Sequence, residues 1–420
     1  MKTSGNLFGG VLSAFVLFCA SAASAVTLSV DKVQQRYPWN GLVDIDYTIQ
    51  FAPGEDPIDA AKERLVFSLI DESVSPATTN TMFYLNDCAP VPTTAGTYRV
   101  TWNANADGVT LVSESAKVRL ALRRYAPKYM IVDVSGGTAA ESFDVSYMDA
   151  PPDGGFNTEE YKGDKIVFRL IPPGSFVMGS PSDQPGRLTN GSETQHNVTL
   201  TKPFYIGLFE LTQKQYVYIA GAKTFKHAGE YHPADTIGYS AARGSTTWPK
   251  SSAVGEASPV GVFRKKTGLA FDFPTNAQWE YACRAGSTGA FCKGTPEATD
   301  DTTWNRFASD LGRFSYTKTD GKGGADDKEE TADVGSYEPN AWGLYDMHGN
   351  VSELVLGWYC TDYASLNQKK DPVGPETGAV VMCGGSYSSA AKSIASSHKE
   401  SCNTGDQRDW AGFRFALTVE

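Results

Sequence analysis

Glycine punctuates this sequence too often for long helices. Of 420 residues, 41 are Gly and 12% are aromatic. Glycine weakens the interior of a helix or strand but admits turns that other residues resist. Large rings then supply the buried area that short elements lack. The combination predicts a turn-rich fold stapled by aromatic side chains, not a helical bundle. A hydrophobic content of 41% excludes wholesale disorder. The net charge is −11, with no basic run. Nucleic acid is therefore excluded as a partner, because phosphate recognition needs clustered Lys and Arg. The acidic excess is read as an aid to solubility.

The N-terminus reads as an export signal. Lys2 precedes an apolar stretch from Leu7 to Ala20, and Ala23-Ser24-Ala25 fits the small-x-small rule for cleavage. A signal peptide over residues 1–25 is expected, with Val26 as the mature start. Phe18 ahead of Cys19 disfavours a lipoprotein site. The apolar core is too short for a span, and no later segment reaches the ~18 unbroken apolar residues a membrane helix needs. The expected location is outside the inner membrane: periplasm, cell surface or medium. Six cysteines follow the signal: Cys88, Cys283, Cys292, Cys360, Cys383 and Cys402. An even count in an exported chain permits disulfides. Cys283 and Cys292 are the favoured local pair, across a short Gly-containing loop. Cys383 and Cys402 are the other candidates. No CxxC occurs, which removes thioredoxin and zinc-ribbon readings.

Residues 26–150 read as an all-β domain, an Ig-like sandwich. Val26–Val30 and Val43–Ile49 alternate, and Leu65–Ile70, Tyr98–Trp102, Lys117–Leu122 and Phe143–Tyr147 are further β-rich runs. Asp149-Ala150-Pro151-Pro152-Asp153-Gly154-Gly155 is the expected linker. Residues 151–420 are mixed α+β. Lys165–Ile171, Phe176–Gly179, Val198–Leu200 and Phe204–Ile206 are strand-like. Thr212–Ala220 reads as a helix, with Thr212 as N-cap and Gln215 three residues on. Asn276–Arg284 reads as a second, capped by Thr275 or Asn276, with Trp279 facing a core and Gly286 just beyond. Ala285–Tyr337 is expected to be loop-rich.

Four segments in the second half carry a family likeness. The first is Ile171-Pro172-Pro173-Gly174-Ser175-Phe176-Val177-Met178-Gly179-Ser180, followed by His196, Phe204-Tyr205-Ile206 and Glu210-Leu211-Thr212. The second is Phe273-Pro274-Thr275-Asn276-Ala277-Gln278-Trp279-Glu280-Tyr281-Ala282-Cys283-Arg284-Ala285-Gly286. The third joins Gly335-Ser336 and Pro339-Asn340 to Gly343-Leu344-Tyr345-Asp346-Met347-His348-Gly349-Asn350-Val351. The fourth is Gly384-Gly385-Ser386-Tyr387, closing with Gly412-Phe413-Arg414. In order, across about residues 160–420, they resemble the formylglycine-generating (sulfatase-modifying factor) family. The resemblance implies a compact domain related to the C-type lectin fold. It also implies an oxidase that converts a sulfatase cysteine to formylglycine, using oxygen and a copper ion held by two cysteines.

The sequence departs from that pattern where the chemistry resides. Counting from the Gly-Gly-Ser-aromatic segment, the family positions are Ser386, Ser389 and Ile394, and the last two stand where the paired cysteines belong. Soft thiolates select Cu(I), and neither a hydroxyl nor an alkyl group replaces one, so copper is not expected. A rearranged Cys383–Cys402 copper site is set against a disulfide or unpaired thiols. The family's Gly-Asn-Val-Trp-Glu-Trp run is here Gly349-Asn350-Val351-Ser352-Glu353-Leu354. The resemblance implies a calcium site at Asn350, Val351 and Glu353, since hard oxygen ligands suit calcium. The competing reading has Asn350 and Glu353 cap and staple the loop. A second calcium site would start near Asn305-Arg306, with an acidic partner in 320–327. His196 and His348 are read as satisfied core or loop histidines. No HExxH, GxSxG or nucleotide loop occurs.

Two functions follow. The favoured one is a non-catalytic, secreted binder of a peptide, protein or glycan, using the Ser386–Trp410 region. The other is a formylglycine-generating oxidase acting on a sulfatase.

Overall fold

The computed structural model describes residues 26–37, 40–53, 63–71, 78–82, 85, 94–105, 109, 116–124, 127–316 and 330–419. The expected signal peptide, Cys88 and the acidic run at 320–327 lie outside the described residues. The chain divides into two compact units, Met1–Pro127 and Lys128–Glu420.

The first unit is all β. Its strands are β1 (Val26–Gln35), β2 (Leu42–Phe51), β3 (Glu63–Asp71), β4 (Thr78–Thr81), β5 (Gly96–Asn103) and β6 (Ala116–Arg124). They form two antiparallel sheets, ordered β1-β2-β5 and β4-β3-β6. Alternation decides the layers: Val43, Ile45, Tyr47 and Ile49 of β2 are buried, and the residues between them are less so. These side chains share one core with Leu65, Phe67 and Leu69 of β3 and with Trp102 of β5, which makes the unit a sandwich.

The second unit begins earlier than the Pro-Pro break suggests. β7 (Tyr129–Asp133) and β8 (Asp144–Met148) belong to it, because β7 pairs with both β8 and β9 (Lys165–Ile171). The expected boundary at 150/151 is thus corrected to 127/128. Phe143–Tyr147 is indeed a strand, but of this unit, and residues 149–155 are one of its loops. The remaining elements are α1 (Glu159–Gly163), β10 (Gly174–Met178), β11 (His196–Leu200), β12 (Phe204–Gly207), α2 (Gln213–Ala220), α3 (Tyr239–Arg243), α4 (Pro259–Thr267), α5 (Asn276–Arg284), α6 (Asp301–Ala308), β13 (Ser352–Trp358), β14 (Val380–Cys383), β15 (Lys399–Cys402), β16 (Ala411–Gly412) and β17 (Ala416–Thr418). One five-stranded sheet runs β17-β12-β9-β7-β8, a four-stranded sheet runs β15-β14-β13-β16, and β10 pairs with β11. The whole chain is therefore α+β, with an all-β unit in front.

Helix α5 is the hub. Thr275 caps it: its hydroxyl accepts from Gln278 N–H, and the Gln278 side chain accepts from Thr275 N–H. Ala285 ends it in the left-handed region at φ 46°. All nine of its residues are buried, and Trp279 packs with Ile171, Phe204, Met347, Val355 and Val381. Residues 285–337 are not all loop. Asp300 caps α6 through Thr303 N–H, and Trp304 anchors that helix against Phe291.

Candidate functional site

The loop after β14 forms the centre of the candidate site. Gly384 and Gly385 adopt φ of +90° and +63°. A Cβ at Gly385 would lie 2.6 Å from Ser393 O, and one at Gly384 would lie 3.0 Å from the Trp279 ring. Glycine is therefore required for the chain to fold back on itself. Ser386 N–H then donates to Ser389 Oγ at 3.0 Å, and Ser389 N–H donates to Ser386 O at 3.0 Å. The hydroxyl of Ser386 lies 3.1 Å from that of Ser388 and 3.3 Å from that of Ser389. Tyr387 N–H donates to Asn350 O, and Ser315 N–H donates to Ser389 O. These bonds tie the seryl loop to the third motif and to the segment after α6.

Of the three family positions, Ser386 and Ser389 are joined by hydrogen bonds, and Ile394 packs behind the same loop, its Cγ2 2.8 Å from where a Cβ at Gly385 would stand. The Ile394 side chain is fully buried among Ala290, Phe291, Trp304, Ala308, Leu311 and Phe314. Its carbonyl accepts from His348 Nδ1 at 2.8 Å. His348 Nε2 accepts from Cys292 N–H at 3.2 Å, so both ring nitrogens are engaged. Burial lowers the His348 pKa to about 4, which keeps the ring neutral. His196 Nδ1 lies 2.9 Å from Thr194 O.

The expected disulfides do not form: the five cysteines among the described residues are all free. The Cys283 thiol and the Cys292 backbone N–H both meet His348 Nε2. Cys283 Sγ is 3.7 Å from His348 Nε2 and 3.5 Å from Met347 O. Burial raises both thiols, that of Cys292 to about 11. Cys383 and Cys402 lie on neighbouring antiparallel strands but out of register. Cys402 faces Val380, and Cys383 faces Lys399. That offset of three positions separates them by ~10 Å along the strands and puts their side chains on opposite faces. A disulfide needs Cα atoms within ~7 Å, so neither a bridge nor a shared copper ion fits this pair.

The calcium expectation at Asn350, Val351 and Glu353 is also corrected by the donor set. Both Glu353 oxygens accept from Arg414, Oε2 from Nε at 2.7 Å and Oε1 from Nη2 at 2.6 Å. Trp279 Nε1 donates to Glu353 Oε2 at 2.9 Å. Asn350 Oδ1 accepts from Ala332 N–H, while Asn350 Nδ2 and Val351 N–H donate to Glu210. A divalent ion here would have to share carboxylate oxygens with a guanidinium, so these residues do not fit calcium. Among the described residues, no group of three or more His, Cys, Asp or Glu side chains could hold a metal ion. What the loop has instead is a buried acid cluster. Glu210, Asp346 and Glu353 face the single guanidinium of Arg414, and all four are buried. Burial raises Asp346 to about 6 and, with Asp346 beside it, raises Glu210 well above the usual carboxylate range.

Sequence reasoning missed two polar networks. Asp235 accepts from Lys226 N–H and His227 N–H, and it lies 3.1 Å from His227 Nδ1. The His227 ring packs edge-on against Tyr387 of the seryl loop. In the second, Glu280 accepts from Lys399 Nζ, Arg284 Nε and Gly179 N–H. Burial alone would raise the Glu280 carboxyl, but the Lys399 and Arg284 cations draw it down to about 2. The Glu280–Arg284 spacing was readable as an i,i+4 pair. Lys399, 119 residues from Glu280, left no signal of that kind.

Beside the seryl loop opens a pocket of ≈ 210 Å³, lined by Asp301, Trp304, Asn305, Ser315, Tyr316, Ala390, Ala391 and Lys392. Lys392 Nζ pairs with Asp301 Oδ1 at 2.7 Å.

Residues 156–419 match the family described as Sulfatase-modifying factor enzyme 1-like domain. The formylglycine-generating enzyme of Streptomyces coelicolor is 29% identical over 251 residues, covering 52% of this chain and 77% of that protein. The serine/threonine-protein kinase Pkn1 of Chlamydia trachomatis is 27% identical over 274 residues, covering 62% of this chain but only 40% of the kinase. Among solved structures, PvdO from Pseudomonas aeruginosa is similar, at 26% identity and a TM-score of 0.48, covering 60% of this chain and 94% of that one.

Proposed function

The chain belongs to the sulfatase-modifying factor family, and from that premise we propose that it is an exported, non-catalytic member that binds a protein, peptide or glycan beside its seryl loop. One observation carries the reading: Ser389 and Ile394 hold the two positions that copper chemistry needs as thiolates, and the Ile394 side chain is enclosed by apolar neighbours. A soft monovalent ion has no sulfur pair to bridge there. The out-of-register Cys383 and Cys402 do not substitute. Export rests on the Lys2, Leu7–Ala20 and Ala23-Ser24-Ala25 pattern of the sequence.

The other reading, an oxidase that makes formylglycine in a sulfatase, draws on the similarity to the Streptomyces enzyme. One experiment separates the two. The protein is loaded with Cu(I) and incubated aerobically with a CxPxR-type sulfatase peptide, and the peptide mass is followed. The expected result is no stoichiometric copper and no aldehyde. Tight one-to-one copper binding with aldehyde formation would return the chain to the oxidase reading.

A further inference from the structure

We propose that the pocket beside the seryl loop takes a single neutral sugar ring, presented alone or at the end of a glycan. This rests on the non-catalytic binding reading and names its ligand class. Size comes first. An opening of ≈ 210 Å³ falls below the ~300–1,000 Å³ of pockets that enclose drug-sized ligands. It is of a size for one ring.

The lining then selects the chemistry. Asp301 and Asn305 stand four residues apart on α6, so they share a helix face. Together they offer a carboxylate acceptor and an amide that both donates and accepts. Lys392 contributes an ammonium, and exposed Ser315 a hydroxyl. Tyr316 and Ala390 make the accessible apolar part of the lining, with buried Trp304 and Ala391 behind them. Tyr316 stacks on Phe314 at 5.8 Å, which fixes its ring plane. A pyranose has a matching division, with hydroxyls around its edge and C–H groups on its faces. Hydroxyls act as donor and acceptor together, which suits Asn305 and the Asp301–Lys392 pair. An apolar peptide anchor would cover the Asn305 amide without pairing it, at a cost of ~1–3 kcal/mol.

Charge narrows the class further. Among the described residues the one cation in the lining, Lys392, is paired with Asp301, which favours an uncharged ligand over a uronate, a sulfated sugar or a phosphate. Polar contact comes from side chains on three segments: α6, the segment after it and the turn after the seryl loop. The serine-for-cysteine change at 389 lies directly against this rim, since Ser389 O accepts from Ser315 N–H.

The test uses the full chain and two probes, methyl glucopyranoside and N-acetylglucosamine. Binding is followed by tryptophan fluorescence, to which Trp304 in the pocket contributes, and by NMR shift mapping. Saturable binding in the millimolar range is expected, with shifts confined to Asp301, Asn305, Ser315 and Lys392. Asn305→Ala and Lys392→Gln should each weaken it about tenfold, with an unchanged circular dichroism spectrum. Chelation by EDTA should leave it unaltered. Absence of binding by both sugars, with a peptide shifting the same residues, would overturn the sugar assignment and leave the binding reading standing. Aldehyde formation in the copper assay would instead overturn the reading beneath it.

Discussion

Replacing Asp346 by Asn should remove one pH-dependent loss of stability. Asp346 is buried, with Oδ2 accepting from Gly335 N–H at 2.7 Å and Oδ1 finding no hydrogen-bond partner among the described residues. Burial raises its pKa from 3.8 to about 6. A carboxyl raised in this way holds a proton that the unfolded chain has released. Its favourable contribution is complete below pH ~3.8 and is lost as pH rises through about 6. At ~1.4 kcal/mol per pH unit, that rise amounts to about 3 kcal/mol. Asparagine keeps an acceptor for Gly335 N–H, carries no charge, and tolerates the positive φ of 56° at this position. Equilibrium unfolding in urea between about pH 4 and pH 8 is the assay. Tryptophan fluorescence reports on the second unit, where six of the eight tryptophans lie. The variant should gain about 3 kcal/mol on the wild type across that range, mostly between pH 4 and 6. Subtracting the two curves removes the titrations they share, including the opposite trend from Glu280, whose folded pKa is lowered; Glu210, which the Asp346 charge helps to raise, eases in the variant and adds to the difference. A difference that stays level with pH would refute proton retention at Asp346.

Four further outcomes are expected. Arg414→Met should cost about 3–5 kcal/mol by stranding the Glu353 carboxylate, and Glu353→Gln made with it should recover part of that loss in a double-mutant cycle. Thr275→Ala, which removes the cap of α5, should cost about 1 kcal/mol in urea unfolding; an unchanged midpoint would deny the cap its role. The His348 ring should keep its neutral NMR signature from pH ~8 down to ~5, and its share of stability, complete above pH ~6.5, should fade only as pH drops toward about 4; a midpoint near 6.5 would contradict its burial. Non-reducing peptide mapping of the native protein should find no Cys383–Cys402 link, and iodoacetamide should reach half-buried Cys360 well before Cys283.

The sequence was most legible where local chemistry is self-sufficient. The Thr-x-x-Gln pattern at Thr212 and Gln215 was readable as a capping box because it is completed within four residues, whereas the cap of α5, open between Thr275 and Asn276 in the sequence, falls on Thr275 in the structure. β2 was readable from alternation, since one of its faces is buried. β7 was not: four of its five residues are buried, so it lacks a period of two, and one of its two partners, β9, lies beyond the Pro-Pro break. α6 hid in a Gly-rich stretch, although Asp300 and Thr303 form a readable cap. The candidate site was legible in position but not in contacts. Whether Asn350 and Glu353 bind an ion or staple the loop turns on Arg414, which lies 61 residues from Glu353 and meets it only in the folded chain. The fate of Cys383 and Cys402 turns on strand register, which residue spacing does not specify.

The position of β7 sets a lower limit on any shortened form of this protein. The family match starts at residue 156, and a gene fragment begun there would delete both β7 and β8. The remaining sheet would end at β9, whose Ile166, Val167 and Phe168 are buried in the whole chain. A bare apolar margin of that kind recruits strands from neighbouring molecules, so such a fragment should precipitate, whereas one begun at Lys128 should stay dispersed.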